Sequence, residues 1–222
     1  MAFSVILPNT PSRLWHVVRA QMVARLLRSS RKTPGFPVSR TIVSYLAVAA
    51  ARNLNAPERD PMIRPIVPAD TAALVALCGN SGLFKPEELK AVRGMFDDFH
   101  ATNAGNGHQA LTYDEGGTLI GVAYFTPREF TDRVWELLMI AVDAPRHRQG
   151  IGSRMLEAVE EVVRAADGRL LVIETSSKSG FERTRQFYRK HGYAEVAHIQ
   201  DWFSDGDGKV VFIKRLTPVR SQ

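Results

Sequence analysis

A chain of 222 residues, 45% hydrophobic and 23% charged, has room for one domain with an appendage or two small domains, and its single cysteine, Cys78, excludes an intrachain disulfide and fits a reducing compartment. The formal net charge of +6 invites a nucleic-acid reading, yet eight of the 29 lysines and arginines, and none of the 23 acidic residues, precede Glu58. The remainder is therefore slightly acidic and no nucleic-acid partner is expected for it, while the absence of a run of about 18 apolar residues excludes a helical membrane span.

The basic first quarter contains "SRLWHVVRAQMVARLLRSSR", in which Trp15, Val18, Met22 and Leu26 recur at helical spacing with arginines between them. Such a pattern fits a transit peptide, a helix lying on an anionic membrane, or contact with nucleic acid. It equally fits a disordered extension ahead of a native start at Met62. "NLNAPERDP", Asn53 to Pro61, reads as a linker. Residues 1–61 are thus expected to be an extension and residues 62–222 one domain, cytoplasmic unless the extension directs import.

From Met62 the signals alternate. "MIRPIV" is a short strand, Pro68-Ala69-Asp70 opens a helix through Leu77, and a second helix is expected from Lys85 to His100, with Pro86 and acids in its first turn. After the "NAGNGH" loop, two strands meet at Asp114-Glu115-Gly116-Gly117, a hairpin turn. "RVWELLMIAVD" is a long apolar strand, followed by a helix from about Gly150 to Ala166 with Met155, Leu156, Val159 and Val163 on one face. "GRLLVIETS" is a strand, and "GFERTRQFYRKHG" a helix that Gly192 can cap. "YAEVAHIQDWF" and "KVVFIKRL" close the chain as a hairpin through Asp205-Gly206-Asp207-Gly208. The order β-α-α-β-β-β-α-β-α-β-β indicates an α/β domain with a mixed sheet.

Between the apolar strand and its helix, "HRQGIGS" has the context of an anion site. Gly150 and Gly152 let the backbone approach a ligand, and the helix start adds about half a positive charge. A tight structural turn remains the alternative. There is no Walker A lysine, and Met155 stands where a dinucleotide fingerprint needs its third glycine.

Taken together, "MIAVDAPRHRQGIGSRML", "LLVIETSS" and "RQFYRKHGYAEV" resemble the GNAT superfamily of acetyl-CoA-dependent N-acetyltransferases, from about Met62 to Leu216. The resemblance implies a mostly antiparallel central sheet with flanking helices, the acyl-CoA N-acyltransferase fold. It implies acetyl-CoA as donor and a pyrophosphate loop at His147, Arg148, Gln149, Gly150, Ile151 and Gly152, with Ser153 following. His147 departs from the family's usual Arg or Gln, leaving Arg146 or Arg148 to supply charge. It also implies that Ile140, Ala141 and Val142 pair through their backbone with the pantetheine arm, and that Tyr188 sits near the sulfur as donor to the departing thiolate.

An attacking amine must be neutral, so a base is useful. Glu136, in "VWELLMIAV", is the first candidate and Glu174, in "VIETSS", the second. A solvent-facing edge position for Glu136 and a structural partner of an arginine for Glu174 are the plainer alternatives. Asp201, Trp202, Asp205 and Asp207 offer acidic and aromatic surface to a cationic amine, although Asp205 and Asp207 fit a solvated hairpin tip as well. His108 and His198 show no metal spacing, so no metal site is expected. Cys78 has no signalled partner, which disfavours an acyl-cysteine. The acceptor expected is a small-molecule amine or amino acid. A protein lysine or N-terminus, and a non-catalytic acyl-CoA-binding module, remain alternatives, and a homodimer stays open.

Overall fold

The computed structural model describes residues 61–216. The basic segment, its amphipathic pattern and the linker up to Asp60 lie outside the described residues. Among the described residues there are seven strands: β1 (Met62–Pro65), β2 (Gln109–Glu115), β3 (Thr118–Pro127), β4 (Val134–Val142), β5 (Leu170–Ser176), β6 (Ala194–Ser204) and β7 (Asp207–Arg215). Helices α1 (Thr71–Asn80) and α2 (Leu89–Asp98) separate β1 from β2. Helix α3 (Ile151–Ala165) links β4 to β5, and α4 (Glu182–Lys190) links β5 to β6. The order of elements is the one the sequence patterns indicate. The segment expected as one helix from Lys85 to His100 is in fact a 3-10 turn at Pro86–Glu88, then α2, then a π turn at Phe99–Asn103. Phe96 and Phe99 both stay buried across that widened turn.

The strands form one sheet in the order β1-β2-β3-β4-β5-β7-β6. Every pairing is antiparallel except β4 with β5, whose parallel run requires the α3 crossover. The β2–β3 hairpin turns through Gly116 and Gly117, both at positive φ (60° and 92°), the backbone a two-residue turn of matching twist demands.

Period-2 strands and amphipathic helices give the sheet two cores. On one face, Met155, Leu156, Val159 and Val163 of α3 pack on Leu137, Ile140, Leu171, Ile173 and Phe212, with Tyr188 of α4 in the same cluster. On the other, Leu74, Leu77 and Cys78 of α1 and Val92 and Phe96 of α2 pack on Val122, Tyr124, Met139 and Ala141. That second core stops at β4. Residues of β5 and β7 on the same face, Glu174 and Lys209 among them, are not covered by α1 or α2. Buried Glu160 of α3 meets Lys214 (2.8 Å), Arg164 (2.7 Å) and the Tyr193 hydroxyl (3.0 Å), which ties the crossover helix to β7.

Candidate active site

The site begins where two parallel strands part. β4 and β5 pair from Val134 with Leu170 to Leu137 with Ile173, and no further. Beyond that point β4 stays bound to β3 through Val142, and β5 stays bound to β7 through Ser176. The cause is visible in the β3 register: Tyr124 faces Met139 while Phe125 faces Leu137, so Leu138 is an extra residue on β4. Such a bulge bends its strand. Leu138 and Met139 consequently both turn to the α1/α2 face, and Ile140 and Val142 return to the α3 face. Ile140, Ala141 and Val142 lie together at the end of β4. The structure puts one edge of that strand on β3 and the other on the gap.

At the open end of the gap, β4 runs through a 3-10 turn (Ala144–Arg146) into α3. Arg148 and Gly150 take positive φ, 65° and 80°, and Gly150 is the helix N-cap with no side-chain capping bond. The amides from Ile151 onward therefore open a 15-residue helix without a side-chain partner, the arrangement that binds anions. Of the neighbouring side chains, His147 Nε2 lies 2.8 Å from the Val142 carbonyl, so the imidazole closes the end of β4. Arg146 is held by Glu115 and by Gln149 Oε1 (2.9 Å). Arg148 is exposed and forms no ion pair among the described residues, which leaves it as the loop's available cation. Ser153 Oγ is 2.9 Å from His191 Nε2, linking the first turn of α3 to the end of α4.

Tyr188 lies at the closed end. Its ring packs on Phe212 (5.8 Å), which pairs with Ile173, the last β5 residue joined to β4, and on Phe187 (5.4 Å) and Tyr193 (5.8 Å). The residue is 0% exposed, and its hydroxyl has no hydrogen-bond partner among the described residues. Burial pushes the phenol above its ordinary value and keeps it neutral. Native interiors leave few polar atoms unsatisfied, and each such atom calls for an explanation. Asp143 Oδ1, at the end of β4, and Thr175 Oγ1, on β5, are two others. Of the four such side-chain atoms among the described residues, three thus belong to the end of β4, to β5 and to α4.

On the α1/α2 face, Glu136 and Glu174 converge. Arg128, just past β3, places Nη1 3.3 Å from Glu136 Oε2 and 3.7 Å from Glu174 Oε1. Glu174 also receives Lys209 Nζ at 3.1 Å, and that ammonium stands 3.7 Å over the Trp202 ring. The two carboxylates are 17% and 19% exposed, at the border of the uncovered half of the sheet. Glu136 is on an inner strand, not at an edge. Glu174 does pair with an arginine, and more closely with a lysine.

The profile of the acetyltransferase (GNAT) family matches residues 81–193. The chain belongs to the GNAT family. A protein assigned to the GNAT acetyltransferases of Desulfovibrio desulfuricans is 27% identical and superposes with a TM-score of 0.68, over 71% of this chain and 99% of its own. The ribosomal-protein-S18-alanine N-acetyltransferase of Escherichia coli (16% identity, TM-score 0.59, 72% of this chain and 96% of its own) shares the fold. So does an aminoglycoside 6′-N-acetyltransferase complexed with coenzyme A (17% identity, TM-score 0.58, 72% and 99%). No protein with a curated description matches by sequence. The enzyme is an acyltransferase with the mixed, mostly antiparallel sheet of the GNAT fold.

Asp207 is not a solvated hairpin tip. It is buried, bonded to Ser176 Oγ, and 3.3 Å from Lys178, because β7 begins there and its side chain turns toward the end of β5. Cys78 is buried in the α1/α2 core, its thiol pushed up to about 12 by burial, away from the gap. Arg128, Lys209 and Thr175 were not signalled by sequence.

Proposed function

We propose that this enzyme moves the acetyl group of acetyl-CoA to the primary amine of a small molecule or amino acid, by direct attack in a ternary complex. One observation carries the reading. The β4–β5 pairing ends at Leu137 and Ile173, with an unpartnered buried tyrosine hydroxyl beside the vertex and an uncapped helix start beyond it. A strand-like amide chain ending in a thioester, attached to a pyrophosphate, has the chemistry to use all three.

In this reading Ile140, Ala141 and Val142 offer gap-facing backbone groups to the pantetheine arm. The amides from Gly150 to Ser153 cradle the pyrophosphate, with Gln149 and exposed Arg148 at the rim. His147 acts indirectly, by fixing the end of β4. Acetyl-CoA supplies the activated acetyl group when bound. The amine nitrogen forms the new C–N bond as the C–S bond breaks, and its proton passes to Glu136, directly or through one water. Arg128 holds Glu136 and Glu174 at the cleft, and Glu174, committed to Lys209, is the second candidate base. Tyr188, kept neutral by burial, donates a hydrogen bond to the departing sulfur, stabilising charge that exists only as the bond breaks.

Glu136 and Glu174, bridged by Arg128, and Trp202, whose ring lies under Lys209, mark the side from which the acceptor amine would approach. A protein amine is the second reading, suggested by the fold likeness to the S18-alanine enzyme. The catalytic unit is residues 62–222, so deleting residues 1–61 should leave turnover unchanged. A thiol-release screen with acetyl-CoA over amino acids, polyamines, aminoglycosides and peptides tests the proposal. Amine-dependent thiol from the small molecules is expected, and thiol with peptides alone would move the acceptor to proteins. Acetyl-CoA binding with no thiol from any class would favour a non-catalytic module.

A further inference from the structure

We propose that the hydroxyl of Thr175 is a side-chain anchor for the acyl-pantetheine arm, a contact separate from the backbone pairing on β4. The inference rests on the acetyl-CoA reading above and adds one residue to it.

Alternation along β5 sends Leu171 and Ile173 into the core against α3, and Thr175 is the next residue on that face, opposite Val210 of β7. Thr175 is 0% exposed, and its hydroxyl has no hydrogen-bond partner among the described residues. A strand threonine in this sheet can satisfy itself: Thr112 Oγ1 donates to the Gly121 carbonyl at 2.9 Å. At position 175 a valine would fill the same volume beside Val210 without stranding a polar atom, so fold stability gives no reason for threonine here.

Position supplies the reason. Thr175 lies past Ile173, where β4 leaves, so β5 is paired only with β7 at this level and its other edge borders the gap. The following residue is clamped. Ser176 Oγ bonds Asp207, and Arg185 of α4 donates to the Ser176 carbonyl and, at 3.0 Å, to that of Lys178. The end of β5 is thereby fixed to the helix that carries Tyr188, and Thr175 is the residue just before that clamp. A hydroxyl both donates and accepts, and a pantetheine arm presents amide N–H and C=O groups along its length, so either polarity finds a partner.

The test compares Thr175→Val and Thr175→Ser in the full chain, with calorimetric titration of coenzyme A and of its nucleotide half, adenosine 3′-phosphate 5′-diphosphate, alongside thermal unfolding. The valine variant should bind coenzyme A about fivefold more weakly, the scale of one neutral hydrogen bond. It should bind the nucleotide half as wild type does, and it should melt at the wild-type temperature or above. Serine should restore coenzyme A affinity. Unchanged coenzyme A affinity in Thr175→Val overturns the anchor, as does an equal loss for both ligands or a lowered melting temperature with no rescue by serine. Wild-type protein that binds neither ligand would instead remove the acetyl-CoA reading itself, and the anchor with it.

Discussion

Replacing Tyr188 by phenylalanine removes one atom from an otherwise unchanged core. The ring contacts with Phe187, Tyr193 and Phe212 remain, and the lost hydroxyl had no partner to leave behind. Stability should therefore hold or rise slightly. Acetyl-CoA affinity should also hold, because the proposed bond to sulfur forms as charge develops. A hydrogen bond to a charged partner is worth about 1.5–3 kcal/mol, which corresponds to roughly a 10- to 100-fold loss in kcat. The assay is initial-rate thiol release at saturating amine, with acetyl-CoA binding measured separately by titration. A kcat within twofold of wild type would refute the role given to Tyr188. An equal loss of binding and turnover would show that the residue only shapes the pocket.

Glu136→Gln should lower kcat by about 100-fold near neutral pH, with the deficit shrinking as pH rises toward the pKa of the amine, since a pre-neutralised amine needs no base. Glu174→Gln should cost more stability than rate, by roughly 3 kcal/mol, because it strips buried Lys209 of its carboxylate; urea unfolding and a pH–rate profile separate the two. Gly150→Ala meets no atom within 4 Å but must hold φ near +80°, so about 1 kcal/mol of stability should go, read as a lower denaturant midpoint. Alkaline unfolding has a defined sign. Burial raises the Cys78 thiol from 9.0 to about 12, and burial raises the Tyr188 and Tyr193 phenols as well, with Glu160 adding to the rise at Tyr193. The stabilisation tied to the protonated forms is complete below pH 9 and declines as the unfolded chain ionises first, by about 1.4 kcal/mol at pH 10 from Cys78 alone. Melting temperature should fall from pH 9 to 10.5, and a flat profile would contradict the burial argument.

Local pattern carried the fold. Period-2 apolar runs, helical stripes such as Met155-Leu156-Val159-Val163, and the Gly-Gly and Asp-Gly turns were each readable within a dozen residues. The turn from β4 into α3 and the helix that carries Tyr188 were readable because pattern and context lie together in the chain. What escaped the sequence is non-local. Arg128 meets Glu136 across a hairpin and Glu174 across the parallel pair, and neither distance is encoded by spacing. The bulge at Leu138, which opens the gap, shows only as register against β3. His147 broke the motif as a side chain, yet its ring serves the Val142 carbonyl, a role that emerges only once the loop has folded back on β4. Thr175 looked like any strand threonine until its neighbours were known to be apolar.

The central claim is that acetyl-CoA lies along the gap between β4 and β5 with its pyrophosphate at the start of α3. Amide hydrogen exchange of the full chain with and without acetyl-CoA tests it most directly. Slowed exchange is predicted in the peptides that contain Ile140–Val142 and Gly150–Ser153, with little change in α1 and α2. Saturable binding with protection confined to other segments, or no binding at all, would contradict it.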